Sequence, residues 1–159
     1  PYEMARSADR YPQERILSAA RRASVADADA AELLDDGDAA VRWWTLVRLA
    51  SLGGSLTNAR PLIEKAATDP SPNVRLAAAE LLCRADRCDV ALPILAAGLT
   101  SNDQYVRLDV ANRLDRLGDR SRPLAELMRK ALKDPNGDVQ KVMRHALLTL
   151  QSEPATPPR

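Results

Sequence analysis

A chain of 159 residues with 23 basic and 22 acidic side chains carries a formal net charge of +1. It therefore lacks the cationic excess that neutralising several nucleic-acid phosphates at once requires. No run near about 18 apolar residues offers a membrane span, and no signal-like stretch opens the chain.

Residues 1–10 read as an N-terminal extension, and with Pro1 in place of an initiator Met the chain is expected to be a piece of something larger, which leaves its compartment open. Residues 11–24 form the first expected helix, YPQERILSAARRA from Tyr11 to Ala23, with Ile16, Leu17 and Ala20 on one face. Beyond it a Val-led apolar pattern returns at Val41, Val74, Val106 and Val139, in steps of 33, 32 and 33 residues. The segments are VRWWTLVRLASLG, VRLAAAELLCRAD, VRLDVANRLDRLG and VQKVMRHALLTLQ. Eight residues after each Val stand Leu49, Leu82, Leu114 and Leu147; four after it stand Thr45, Ala78, Val110 and Met143; eleven after it stand Leu52, Ala85, Leu117 and Leu150. At about 100° per residue these offsets share one stripe of an amphipathic helix.

Seven residues before each Val a second column, Leu34, Ala67, Leu99 and Leu132, closes a shorter helix. The turns between the two helices are rich in Asp, Asn, Ser, Pro and Gly, and Asp38, Ser71, Asp103 and Asn136 stand where N-caps are wanted. Pro61, Pro93 and Pro123 fall near the openings of the shorter helices, where a missing N–H costs little. The expected architecture is all-α: a right-handed α-solenoid of about four helix pairs (28–53, 57–86, 89–118 and 121–151) in a domain spanning 11–151 and capped by the helix at 11–24. One pair cannot bury its own apolar face; stacked pairs share a continuous core. Residues 152–159 (SEPATPPR from Ser152) read as a disordered Pro-rich tail.

No catalytic constellation appears, and neither a cofactor nor a metal is expected. Cys83 and Cys88 lack the His that a zinc site would want; they read as partly buried free thiols, with a disulfide open if the chain is exported. His145 faces away from the stripe with no carboxylate or Ser repeating beside it. The Arg21-Arg22-Ala-Ser24 string looks like a kinase site, but a solvated helix end accounts for it. Adjacent helical residues point about 100° apart, so Trp43 and Trp44 do not fill one hole: Trp43 reads as core, and Trp44 as packed by the capping helix or as a docking residue. Outside the stripe, the longer helices gather Trp44, Arg48, Glu80, Arg84, Asp109, Asn112, Arg113, Arg116 and His145 on one ridge. In solenoids such a ridge lines an extended concave surface. Its mixed signs point to a protein partner rather than phosphate, with a merely solvated ridge holding intrahelical pairs such as Asp109 with Arg113 as the plainer reading.

An Asp in the turn, a Val-Arg beginning five residues later, then Ala-rich and Leu positions ending in Leu-Gly, resemble HEAT repeats of the phycobilin-lyase type. Asp36 with Arg42 and Asp69 with Arg75 fit that pattern. The resemblance implies a ladder of Asp and Arg between neighbouring turns. Arg107 and Asp134 belong to the same expected ladder, but Ser101 before Arg107 and Gln140 after Asp134 depart from the pattern and put its continuity beyond the second pair in question.

The opening PYEMARSADRYPQERILSAARRAS, DDGDAAVRWW, DPSPNVRLAAAELLCR, ALPILAAGL and VANRLDRLG are also similar to the helical C-terminal extension of bacterial sulfatases. That resemblance implies a non-catalytic accessory domain behind an alkaline-phosphatase-like enzyme, with a periplasmic or exported location. The sulfatase C/S-x-P-x-R motif is missing here; its nearest lookalike, Ala155-Thr-Pro-Pro-Arg159, has Ala at the nucleophile position. The alternatives are a stand-alone protein–protein adaptor and a nucleic-acid-binding or base-repair helical repeat. Fold-level likeness does not choose among them.

Overall fold

The computed structural model describes residues 13–22, 27–51, 56 and 58–152. The extension at 1–10, the start and end of the expected capping helix, Leu52, the Arg21-to-Ser24 string beyond Arg22, and the tail from 153 onward lie outside the described residues.

Among the described residues every regular element is helical. They are α1 (Gln13–Arg22), α2 (Asp27–Leu34), α3 (Ala39–Ser51), α4 (Arg60–Ala66), α5 (Pro72–Arg84), α6 (Cys88–Leu99), α7 (Gln104–Leu117), a 3-10 helix (Gly118–Leu124) that leads into α8 (Ala125–Ala131), and α9 (Gly137–Ser152). The pairs are α2 with α3, α4 with α5, α6 with α7, and α8 with α9. Helices α3, α5, α7 and α9 pack one on the next, and α1 packs on α3. This is an α-solenoid of stacked helix pairs.

The apolar stripe explains why. Val41, Val74, Val106 and Val139 are buried, as are Leu49, Leu82, Leu114 and Leu147, and Ala78, Val110 and Met143 are fully enclosed. Thr45 takes the same place in the first pair, and its hydroxyl donates to the Val41 carbonyl at 2.8 Å, so the buried oxygen is satisfied inside its own helix. Small residues let the helices approach closely. A Cβ at Gly98 of α6 would stand 2.7 Å from Val110 Cγ2 of α7 and 3.1 Å from Leu76 Cδ2 of α5.

Caps fix where each longer helix begins. Asp38 Oδ1 accepts from the Ala40 amide at 2.8 Å, Asp103 Oδ1 from Tyr105 at 2.8 Å, and Asn136 Oδ1 from Asp138 at 2.9 Å. Ser71 occupies the equivalent position without a side-chain cap bond, and Pro72 at the helix start supplies the preset φ instead. Pro93 departs from expectation. Helix α6 already begins at Cys88, so Pro93 lies inside it, where its missing N–H deprives only the carbonyl of Asp89, an exposed residue of the first turn. The fourth short helix is likewise cut down, because Gly118–Leu124 winds as a 3-10 helix ahead of α8.

Helix α5 stops through a left-handed residue. Asp86 has φ 59°, and the Arg87 amide reaches back to the Leu82 carbonyl at 2.8 Å, the closing bond of a Schellman turn. Gly118 stands at the corresponding place after α7 with φ 53°. Cys83 and Cys88 straddle the α5–α6 turn and form a disulfide. The free-thiol expectation is therefore corrected: the tight turn, not the five-residue spacing alone, brings the two sulfurs together. Closing so short a loop is worth about 2 kcal/mol on the chain-entropy scale. Urea unfolding with and without a phosphine reductant should differ by that amount; coincident midpoints would show the bridge to be thermodynamically idle.

Trp43 packs on the main core, whereas Trp44 lies half-buried against the cluster of Ile16, Leu33 and Val41. Their rings meet edge to face, 5.0 Å apart between centroids and 84° between planes. Ile16 belongs to α1, so the capping helix contributes to the cluster on which Trp44 packs.

Candidate functional site

The turn ladder is built from two bonds per module. In the first, a residue six positions after the turn Asp donates to the backbone carbonyl of its own turn: Arg42 Nη1 to Asp36 at 2.7 Å, Arg75 Nη1 to Asp69 at 2.6 Å, Arg107 Nη1 to Ser101 at 2.8 Å, and Gln140 Nε2 to Asp134 at 2.6 Å. In the second, the guanidinium reaches forward to the next module's carboxylate. Arg42 Nε and Nη2 grip Asp69 at 2.6 and 2.8 Å, and Arg107 Nε and Nη2 grip Asp134 at 2.7 and 3.0 Å. Both are fork-on-fork pairs, the strongest geometry open to these groups.

The turn Asp thus does two jobs. Asp69 Oδ1 also accepts from the Ser71 amide at 2.7 Å, and Asp134 Oδ1 from the Asn136 amide at 2.8 Å, pinning the turn. Burial pushes the Asp69 carboxyl up, but the Arg42 and Ser71 hydrogen bonds and the charges of Arg42 and Arg75 outweigh it and hold it below the ordinary carboxylate range. Asp134 is held low first by the Arg107 hydrogen bond, against desolvation.

Beyond the second pair the ladder continues with one gap: the rung from Arg107 to Asp134 is made and the rung from Arg75 is not. Each Arg reaches forward, so Ser101 breaks the rung from Arg75 and leaves the one from Arg107 intact. Ser101 Oγ still accepts from the Asp103 amide at 3.2 Å and so keeps the turn, but it offers no carboxylate. Among the described residues Arg75 bonds only to the Asp69 and Pro70 carbonyls, both through Nη1. At this gap lies an open cleft of about 470 Å³ lined by Arg75 and Ser101 together with Leu76, Ile94 and Val106. In the sequence Ser101 stands before Arg107 of its own module, whereas its consequence falls on Arg75 of the preceding one, because the forward direction of the rung is a three-dimensional fact.

The ridge is less open than the sequence implies. Arg113 is buried rather than exposed, 6% accessible. It bonds Asp109 one turn back at 3.0 Å and, through Nη1, Glu80 of α5 at 2.7 Å; Arg116 grips the same Glu80 at 2.8 and 3.0 Å. Burial raises Glu80, but hydrogen bonds and charge from Arg116 and Arg113 overcome it and keep the carboxyl below its usual range. His145 Nδ1 lies 2.7 Å from Asp115 Oδ1 of α7. Asn112 is exposed and donates to the Leu108 carbonyl at 2.9 Å. Arg84 is exposed without a partner among the described residues, while Arg48 is half-buried with its Nε unbonded. The Asp109–Arg113 pair is the intrahelical one expected from the spacing, and Glu80, from the preceding pair, neutralises Arg113 and Arg116 together.

Among the described residues no three His, Cys, Asp or Glu side chains gather where they could hold a metal ion, and no helix is long and apolar enough to cross a membrane. A family model of HEAT repeats matches residues 59–148, more than half of the chain. No curated protein matches it.

Proposed function

The chain belongs to the HEAT-repeat family, and from that premise we propose that it is a non-catalytic scaffold that binds another protein along the ridge formed by α3, α5, α7 and α9. The observation that carries this reading is the charge state of the ridge. Arg113 and Arg116 are taken up by Glu80 and Asp109, so the ridge is a mixed polar surface on which Arg84 and Asn112 are exposed. Such a surface complements a protein better than a phosphate polymer.

A finer assignment makes the scaffold the accessory domain of a sulfatase-like enzyme, packing on or bracing its catalytic domain or mediating assembly. It is supported by the resemblance of the opening segment and the Val-Arg-Trp-Trp to sulfatase extensions. The Cys83–Cys88 disulfide agrees with an oxidising compartment. The test begins with the gene upstream of Pro1, where a C/S-x-P-x-R reading frame is expected. The encoded catalytic domain should co-purify with the tagged repeat domain, and Arg84→Glu with Asn112→Arg should weaken that association at least tenfold, about 1.4 kcal/mol. A missing frame removes the sulfatase assignment and leaves the adaptor; a partner retained equally by the double variant removes the ridge.

A further inference from the structure

We propose that the cleft at the broken rung is a second binding site, which captures a carboxylate side chain of a partner protein flanked by an aliphatic residue. It rests on the scaffold reading only for its occupant being a protein. The carboxylate specificity comes from the ladder itself.

The second module lacks a part that the first and third have. In the first and third modules the Nε and Nη2 atoms of Arg42 and Arg107 hold a carboxylate from the next turn. In the second module the same two atoms of Arg75 have no protein partner among the described residues, because Ser101 stands where Asp69 and Asp134 stand in their modules. Arg75 is nonetheless held in place by two carbonyls, at 2.6 Å from Asp69 and 3.0 Å from Pro70. Its free fork is therefore preorganised, which lowers the entropy lost when a ligand docks. It is also, among the described residues, the one charged side chain lining the cleft. Beside it stand Ser101 and an aliphatic floor, in which Leu76 and Val106 are buried and Ile94 is half-buried. The volume of about 470 Å³ lies within the range of about 300–1,000 Å³ typical of ligand sites. A cleft with one oriented cation and an aliphatic floor selects an acidic side chain beside a Leu or Ile.

The test is an amide-shift NMR titration of the chain with acetyl-Ala-Leu-Asp-Leu-Ala-amide and with the same peptide carrying Asn for Asp. Saturable shifts are expected at Gly98, Ser101 and Val106, with the Asn peptide binding at least tenfold more weakly. Ser101→Asp, which supplies the carboxylate from within, should cut affinity for the acidic peptide at least tenfold. So should Arg75→Gln, a change the fold tolerates in principle because Gln140 makes the equivalent backbone contact in the fourth module. No saturable shift at those amides, equal binding of the Asn peptide, or undiminished binding by Ser101→Asp overturns the proposal. None of these outcomes bears on the ridge, which Arg84 and Asn112 test separately.

Discussion

Leu114→Ala is expected to cost about 4 kcal/mol of unfolding free energy, near the upper part of the range for a fully enclosed leucine. Leu114 is 0% accessible and sits on α7, which packs against α5, α6 and α9, so a void there loosens three helices at once. Because stability in a stacked repeat is the sum of module and interface contributions, the loss falls on both neighbours of the third module. A domain of this size is stable by about 5–15 kcal/mol, which makes the change a large fraction of the whole. Leu148→Ala on α9 provides the control: Leu148 is 59% exposed, and its truncation should stay within about 0.5 kcal/mol. Urea denaturation followed by circular dichroism measures both, and similar costs for the two would contradict the assignment of the buried stripe.

The second large effect concerns the first rung. Asp69→Ala leaves the Arg42 guanidinium, whose side chain is only 11% exposed, without its carboxylate, and stranding one half of a buried pair costs about 3 kcal/mol. Arg75→Ala removes no such pair, since Arg75 holds only carbonyls, and should cost about 1 kcal/mol. The pH dependence carries the same signature. The Asp69 carboxyl is held below its ordinary range, so the rung's contribution is complete above the unfolded-state value of about 3.9 and is lost as pH falls through the folded-state value. The gap between the native chain and Asp69→Ala should therefore be constant near neutrality and close on acidification below about pH 4. A gap that persists in acid would mean that Asp69 acts through the turn alone.

The architecture was legible because each module repeats the same columns of Val, Leu and small residues, and because Asp38, Asp103 and Asn136 announce helix starts through local chemistry. What escaped reading depends on contacts between modules. Arg113 looked like a ridge cation from its offset, yet Glu80, a full module earlier in sequence, draws it inward. Ser101 looked like a local departure, yet its consequence falls on Arg75, because rungs point forward. The disulfide depended on Asp86 adopting a left-handed turn, which nothing in a Cys spacing reveals. Pro93 misled because a proline permitted in the first turns of a helix does not say which residue opens it.

The forward reach of each guanidinium has a consequence for how such a protein can lengthen. Segment 69–100 carries an acceptor at its head, Asp69, and a donor just inside, Arg75. A tandem copy of it would set the Arg75 of one copy against the Asp69 of the next and complete a rung that the present chain lacks. Duplication here thus adds one rung, and excision, which would bring Arg42 to face Ser101, removes one. In either case the single arginine ahead of Ser101 is left without a carboxylate, so the stack changes length by whole fastenings around one fixed open link.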